Sequence, residues 1–407
     1  MNVIYFHQQF TTPNISGGIR SYEFAKKLIE RGHKVTMVCG GKHDMFNLPE
    51  TNKKGVFRGD VEGIDVIQID LPYSNNDGKA KRAKVFLKYA WRSIHYALFE
   101  NYDLVFATTT PLTAGIPGLV AKWFRRKKFV FEVRDFWPDS TKTLFAAIGK
   151  KYPWYLDWGL SFLGNRCYKA ADACIGLAPG ICSAIREHSQ KGKRVELIPN
   201  GCDLELFSPS KRGEMELSGV NEGDTVAVFT GAHGVANGLE AVLDAAAVLK
   251  QRGRNDIKMV FVGNGMMKQT LMERAEKESL DNCLFFKPVP KKELTKIVCS
   301  ADIGMQILTN ATFFYYGTSP NKFFDFISSG LPVINNYPGW IADMINENKC
   351  GVVVEPMKPD VFADGLIYLA DHPEERKIMG ENARKLAERD FDRDVLSSQF
   401  VDFIESV

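Results

Sequence analysis

Short apolar runs alternate with longer mixed stretches along the whole chain. In the first half the runs are "NVIYF" (2–6), "KVTMVC" (34–39), "DVIQI" (65–69), "DLVFAT" (103–108), "KFVFEV" (128–133), "ACIGL" (173–177) and "VELIP" (195–199). In the second they are "TVAVFTG" (225–231), "IKMVFVG" (257–263), "CLFFK" (283–287), "ADIGMQI" (301–307), "PVIN" (332–335) and "GVVV" (351–354). Runs this short and apolar predict strands covered on both faces. Between them, apolar positions recur at helical spacing: in "SYEFAKKLIERG", Tyr22, Ala25, Leu28 and Ile29 share one face. Such alternation predicts an α/β protein with parallel sheets, and its occurring twice predicts two doubly wound domains. Loop signals cluster in "NGCDLELFSPSKRGEM" (200–215), which sets the boundary there, and the tail "ENARKLAERDFDRDVLSSQFVDFIESV" predicts helices. Open parallel sheets bind ligands beyond the strand C-termini, so two such domains facing each other predict a cleft.

Length agrees, since 407 residues suit two domains of about 200 rather than one core. No run of about 18 apolar residues predicts a membrane-spanning helix. The start, "MNVIYFHQQF", lacks the basic region and small-residue cleavage site of a secretory leader. The eight cysteines, most of them in apolar segments and none in a CxxC pair, predict buried free thiols in a reducing cytoplasm. No His, Cys and carboxylate cluster has metal-ligand spacing, so no metal site is expected.

Charge changes the picture more than composition does. Residues 1–200 hold 30 Lys+Arg against 18 Asp+Glu, or +12, while the remainder holds 22 against 31, or −9. A basic first half predicts an anionic partner: a phosphate-bearing substrate, a membrane surface or nucleic acid. Nucleic acid is not expected, because no recognition module or basic-aromatic stacking surface is present. Lys81, Lys84, Lys88 and Arg92 recur at helical spacing with Val85, Phe86, Tyr89, Trp91 and Ile94 interleaved, and "KWFRRKKF" (122–129) adds five bases. That pattern suits an anionic membrane surface or a solvated face.

Candidate chemistry lies directly after strands. Gly17 and Gly18 in "TPNISGGIRSYEFAKKL" precede a helix, where free N–H groups favour an anion; a tight turn is the alternative. Arg134 and Asp135 in "FEVRDFWPDS" stand at a strand tip, as a salt-bridged lip or as working groups in the cleft. "FTGAHGVANGLE" offers His233 and Asn237 on a glycine loop, for a phosphate or for structure. Asn264 lies between Gly263 and Gly265 in "FVGNGMMKQ", at a turn or beside a nucleoside. In "TSPNKFFDFISSGLPVI", Ser319 is the expected N-cap and Pro320 the first helical residue. Asn321 and Lys322 then fall in the first turn, where a lysine opposes the helix dipole unless an anion is near. Asp325, one turn on, can accept from two vicinal hydroxyls, as a ribose presents them.

Together these motifs resemble the retaining glycosyltransferases of family 4, of GT-B fold, and within them the bacterial O-antigen and capsule subgroup that includes N-acetyl-fucosamine transferases. The resemblance is carried by "HQQFTTPNISGGIRSYEFAKKLIERGHKVTMV", "EVRDFWPDS", "IPNGCD" and "SPNKFFDFISSGLPVI", in that order. It implies an acceptor-binding Rossmann-like domain over residues 1–203, a donor-binding one over 204–385 and a helix over 386–407 crossing back to the first. It implies no metal ion and no cofactor, only a nucleotide-sugar co-substrate, with UDP favoured. Gly18 falls where the family's glycine loop meets the donor diphosphate, Asp325 at the second acid of its Glu-x7-Glu pattern, Asn264 in its Gly-x-Gly turn and Val289 in the loop that meets the base. Three departures stand out. The first acid of the pattern falls at Gly317, Arg134 stands where many members have histidine, and the phosphate clamp falls on a loop with only His233 and Asn237.

The resemblance further implies transfer of a HexNAc or deoxy-HexNAc to a lipid-pyrophosphate-linked saccharide in surface-polysaccharide assembly, at the inner face of the plasma membrane. A front-face mechanism needs no protein nucleophile, so the expected work of Lys322, Arg134 and helix N-termini is to stabilise the leaving diphosphate, with Asp135 orienting Arg134 or the acceptor hydroxyl. A nucleotide-sugar 2-epimerase of the same fold and a non-catalytic nucleotide-sugar-binding assembly partner are the alternatives.

Overall fold

Alternation of β-branched and aromatic runs with amphipathic stretches builds two sheets, each wrapped by helices. The computed structural model describes every residue except Ser16, 74–76, Ile148 and 214–216. Part of the "TPNISGGIRSYEFAKKL" loop and part of the 200–215 boundary stretch therefore lie outside the described residues. The first sheet contains β1 (Asn2–Phe6), β2 (Lys34–Gly41), β3 (Val56–Val61), β4 (Ile64–Asp70), β5 (Leu104–Thr108), β6 (Lys128–Val133), β7 (Ala173–Gly176) and β8 (Arg194–Leu197). The second contains β9 (Thr225–Ala232), β10 (Ile257–Asn264), β11 (Cys283–Phe286), β12 (Ile303–Gln306), β13 (Val333–Asn335) and β14 (Gly351–Val353).

Strand order is β3-β4-β2-β1-β5-β6-β7-β8 in the first sheet and β11-β10-β9-β12-β13-β14 in the second. Among the described residues every pairing between named strands is parallel except β3 with β4, whose register runs Val56 opposite Ile69 to Val61 opposite Ile64. That edge hairpin was not expected from the sequence: "VFRGDV" mixes charge into its alternation and is only partly buried, so it lacks the apolar run that marked the other strands. Period-two alternation sends Ile4 and Phe6 to one core and Val3 and Tyr5 to the other. The core holding Ile4 continues without a break into the second domain, through Phe207, Val228 and Phe324.

Strand order reverses between β1 and β5 in one sheet and between β9 and β12 in the other. Loops on either side of a reversal splay apart and leave a crevice at the strand C-termini. The two crevices face each other. Helix Pro179–His188 of the first domain meets helix Thr312–Gly317 of the second so closely that a Cβ on Gly180 would lie 2.6 Å from the Tyr316 carbonyl oxygen.

Near the C-terminus, helix Pro373–Asp390 packs on helix Asn321–Ser328 and ends at Phe391. The chain then crosses between domains, where the Cys202 N–H donates to the Phe391 carbonyl at 2.6 Å and the Arg393 N–H donates to the Cys202 carbonyl at 3.0 Å. Asp392 caps the last helix, Arg393–Glu405, by accepting from the Asp394 N–H. That helix lies on helix Arg20–Glu30 of the first domain, with Phe24 and Phe400 stacked at 4.0 Å. Lys27 to Asp394 and Arg31 to Glu405, each at 2.7 Å, pin it at the rim.

Candidate functional site

Loops from both reversals line a single cleft of about 860 Å³ between the domains. Its first wall carries Gly17, Gly18, Arg134 and Asp135; its second carries Asn237, Val289, Ser319, Asn321, Lys322 and Asp325. Ten of the twelve residues singled out in the sequence therefore share one space, though the two walls come from opposite halves of the chain.

On the first wall, Gly17 holds φ +155°, and a Cβ there would stand 2.9 Å from the Thr11 side chain. Gly18, by contrast, has open space where a Cβ would be. Arg20 opens the following helix, and its guanidinium reaches back under the loop. Its Nε donates to Glu132 Oε1 at 2.9 Å, while Nη1 and Nη2 donate to the carbonyls of Pro199 and Ile198. Glu132 also accepts from Arg134 Nε at 3.0 Å and from Thr108 Oγ1 at 2.5 Å. Arg134 Nη2 donates to Ser21 Oγ. Burial pushes the Glu132 carboxyl up, but Arg20 and Arg134 outweigh that and hold it below its ordinary range. One buried carboxylate thus anchors two guanidiniums.

Of the two readings of Arg134 and Asp135, the salt-bridged lip does not form. A tight strand exit sends the two side chains apart, so Arg134 turns back to Glu132 two positions earlier. Asp135 instead accepts from Thr110 Oγ1 at 3.4 Å. Burial raises the Asp135 carboxyl above its ordinary range, with Thr110 and Arg134 opposing.

The second wall is built differently. Lys322 is half-buried at the start of helix Asn321–Ser328, a helix with no acid in its first turn. Its Nζ donates to Asn237 Oδ1 at 2.7 Å and lies 4.3 Å from the Phe229 ring centroid. Among the described residues it has no carboxylate partner. Burial lowers its ammonium to about 7. Asn237 is itself aimed by its Nδ2, which donates to the Ala232 carbonyl. Asp325 is buried one turn further on, with Lys291 Nζ at 3.8 Å. Desolvation raises its carboxyl, with Lys291 and Arg393 opposing.

Ser319 is not the N-cap. Pro320 takes that place, without a side-chain cap. Ser319 Oγ instead accepts from the Asn200 N–H at 3.0 Å, and Asn200 Nδ2 donates to the Ser319 carbonyl at 2.7 Å. The residue is a stitch between the walls, because the chain leaving β8 brings Asn200 up against the start of the helix. At Gly317 a Cβ would meet only the Phe313 ring, at 3.4 Å.

Two expected residues stand outside the cleft lining. His233 is fully buried, with neither ring nitrogen bonded among the described residues. Burial, Lys268 and Lys322 lower it to about 4, so it is neutral at pH 7 and offers a phosphate no charge. Asn264 is exposed and accepts the Gly265 N–H on its own Oδ1. The glycines here serve packing. Gly263 has φ +153°, and a Cβ on it would fall 1.9 Å from the Gly231 carbonyl oxygen, so the β9 and β10 loops touch backbone to backbone. Sequence reading missed Arg20, Glu132 and Lys291. A charged residue inside the apolar run "KFVFEV" was the available signal for Glu132. Among the described residues no three His, Cys, Asp or Glu side chains gather to hold a metal ion.

Two parallel-sheet domains meeting over such a cleft define the GT-B architecture, and the chain superposes end to end on proteins of that kind. Sucrose-phosphate synthase from Thermosynechococcus elongatus matches all of this chain and 98% of its own, with TM-score 0.76 and 15% identity. Anabaena HepE in complex with UDP-glucose matches over the whole of both chains, with TM-score 0.70 and 16% identity. Residues 17–206 match the family model for Glycosyltransferase Family 4, and residues 211–386 match that for Glycosyl transferases group 1. Among curated proteins, D-inositol 3-phosphate glycosyltransferase of Paenarthrobacter aurescens is 26% identical over 200 residues, 48% of either chain. The chain spans about half the length of the curated relatives it matches.

Proposed function

We propose that this protein is a retaining glycosyltransferase that moves a sugar, a HexNAc or deoxy-HexNAc, from a UDP-sugar to a lipid-pyrophosphate-linked saccharide of bacterial surface polysaccharide. The observation that carries the reading is Lys322. A half-buried ammonium answered, among the described residues, by a neutral amide and an aromatic ring but no carboxylate, at the mouth of a helix in a shared cleft, is an uncompensated site for an anion. A donor diphosphate is an anion of suitable charge. The two family-model matches and the UDP-glucose complex of HepE support the donor class.

In this reading Lys322 and the first-turn N–H groups hold the diphosphate from one wall. Arg134, kept in place by Glu132, Thr108 and Ser21, faces it from the other. Negative charge grows on the diphosphate as its bond to the sugar breaks, and donors set beforehand stabilise that charge without reorganising. The acceptor hydroxyl's proton passes to the departing diphosphate, so no protein nucleophile is required. Asp325 and Lys291 stand where the ribose and base end of the donor would lie, beside Val289.

Transfer from UDP-sugars to a lipid-linked acceptor tests the reading. Lys322→Ala should lower kcat/KM about 10²–10³-fold, and Lys322→Arg should recover most of it. Near-normal turnover by Lys322→Ala would refute the role given to this residue. Product formed from the UDP-sugar without acceptor would point instead to an epimerase.

A further inference from the structure

The first domain carries an apolar surface that its own core does not use. Helices Lys79–Phe99, Gly115–Arg125 and Trp154–Ala170 lie side by side on one face of the first sheet. Leu87 and Trp91 from the first, Phe124 from the second, and Trp154, Trp158 and Phe162 from the third all project into solvent, with Trp91 77% and Trp154 79% exposed. Trp154, Trp158 and Phe162 recur every fourth residue and so form one stripe, and Trp158 stacks on Phe162 at 5.7 Å. A single exposed aromatic needs no explanation, but a row across three adjacent helices does.

Charge on the same face indicates what covers it. Helix Lys79–Phe99 contains six Lys or Arg and no acid. Its exposed Lys84 and Lys88 share a face with Leu87 and Trp91. Exposed Lys150 and Lys151 lie just ahead of Trp154. The single acid of the third helix, Asp157, is taken up by Lys142 at 2.8 Å. Indoles interleaved with free lysines fit the headgroup layer of an anionic bilayer, where rings sit at the interface and ammonium groups meet lipid phosphates. A second copy of the chain would set one cationic face against another. No helix among the described residues is long and apolar enough to cross a membrane.

The face also connects to the cleft. Lys142 belongs to helix Asp139–Ala147, which touches the turn Val235–Asn237 that holds the amide partner of Lys322. We propose that this three-helix face docks on an anionic membrane, with Trp154, Trp158 and Phe162 entering the headgroup layer and Lys84, Lys88, Lys150 and Lys151 engaging lipid phosphates. A lipid-borne acceptor then reaches the cleft past helix Asp139–Ala147. Only this last step rests on the transferase reading above.

Co-sedimentation with vesicles of phosphatidylglycerol and phosphatidylethanolamine, without nucleotide or acceptor, tests the docking. The protein should bind these vesicles, lose them in about 0.5 M salt, and ignore pure phosphatidylcholine. The pairs Trp154→Ser with Trp158→Ser, and Lys84→Glu with Lys88→Glu, should each weaken binding about tenfold at an unchanged melting temperature. No binding by the wild type, or undiminished binding by both pairs, would overturn the proposal. So would self-association that the tryptophan pair abolishes while vesicles are ignored. Binding by a protein that transfers no sugar would leave the docking standing and remove the reading above; transfer without binding would do the reverse.

Discussion

The two walls of the cleft each present a cation, and they hold it in opposite ways. Arg134 on the first wall sits in a closed cluster, where Glu132 answers both it and Arg20. Among the described residues, Lys322 on the second wall has the Asn237 amide oxygen and the Phe229 ring and no carboxylate. A buried ion pair costs desolvation and offsets it internally, so it brings geometry more than free charge. An unpaired, half-buried ammonium is left to be neutralised by whatever enters. Two cations in one cleft are thus held for different ends: Arg134 is fixed in place by its partners, and Lys322 is left open to an incoming anion.

Breaking the first wall should have the largest effect on stability. Glu132→Gln removes one charge and leaves two buried guanidiniums facing each other. Chemical denaturation should show a loss of about 3–5 kcal/mol; a loss below about 1 kcal/mol would mean that the cluster is not held by this carboxylate. Behind the second wall, Gly263→Ala forces a methyl against the Gly231 carbonyl and should cost about 1–3 kcal/mol. If the variant keeps wild-type stability but loses UDP-sugar binding, the glycine faces ligand and not backbone. At the seam between walls, Ser319→Ala removes one hydrogen bond to Asn200 and should cost about 0.5–1.5 kcal/mol. Measured by the same denaturation, it separates a stitch from a cap: a capping role would also lower helicity, and a stitch would not.

The contrast between walls was only half legible in the sequence. Strand runs and glycine-marked strand exits located the cleft, because period and turn chemistry are local. Which acid pairs with Arg134 is not local. Strand order places Arg20, Thr108 and Glu132 side by side although 112 positions separate Arg20 from Glu132, and Asp135, adjacent in sequence, points elsewhere. His233 was open to a phosphate contact or a structural role, and the close approach of the β9 and β10 loops, which buries it, is not readable from the local sequence. Ser319 read as a cap from its position before proline, a local rule overridden by Asn200 reaching across from the other domain. The tryptophan stripe of helix Trp154–Ala170 has the spacing of a core-facing row, and only packing reveals that it faces out.

Proton uptake on donor binding reports whether the diphosphate meets the Lys322 ammonium. The Lys322 ammonium titrates near 7 in the free protein because burial disfavours its charge. A diphosphate beside it favours the charge and raises that value. Above pH 7, binding must therefore take up a proton, and affinity should fall with rising pH by up to about tenfold per unit. Calorimetry with UDP-glucose at pH 8, in buffers of differing ionisation enthalpy, reads this uptake, since the donor's own phosphates do not titrate there. Uptake should approach one proton in the wild type and be absent in Lys322→Arg, whose guanidinium stays charged. Equal uptake in the two proteins, or none in either, would contradict that contact.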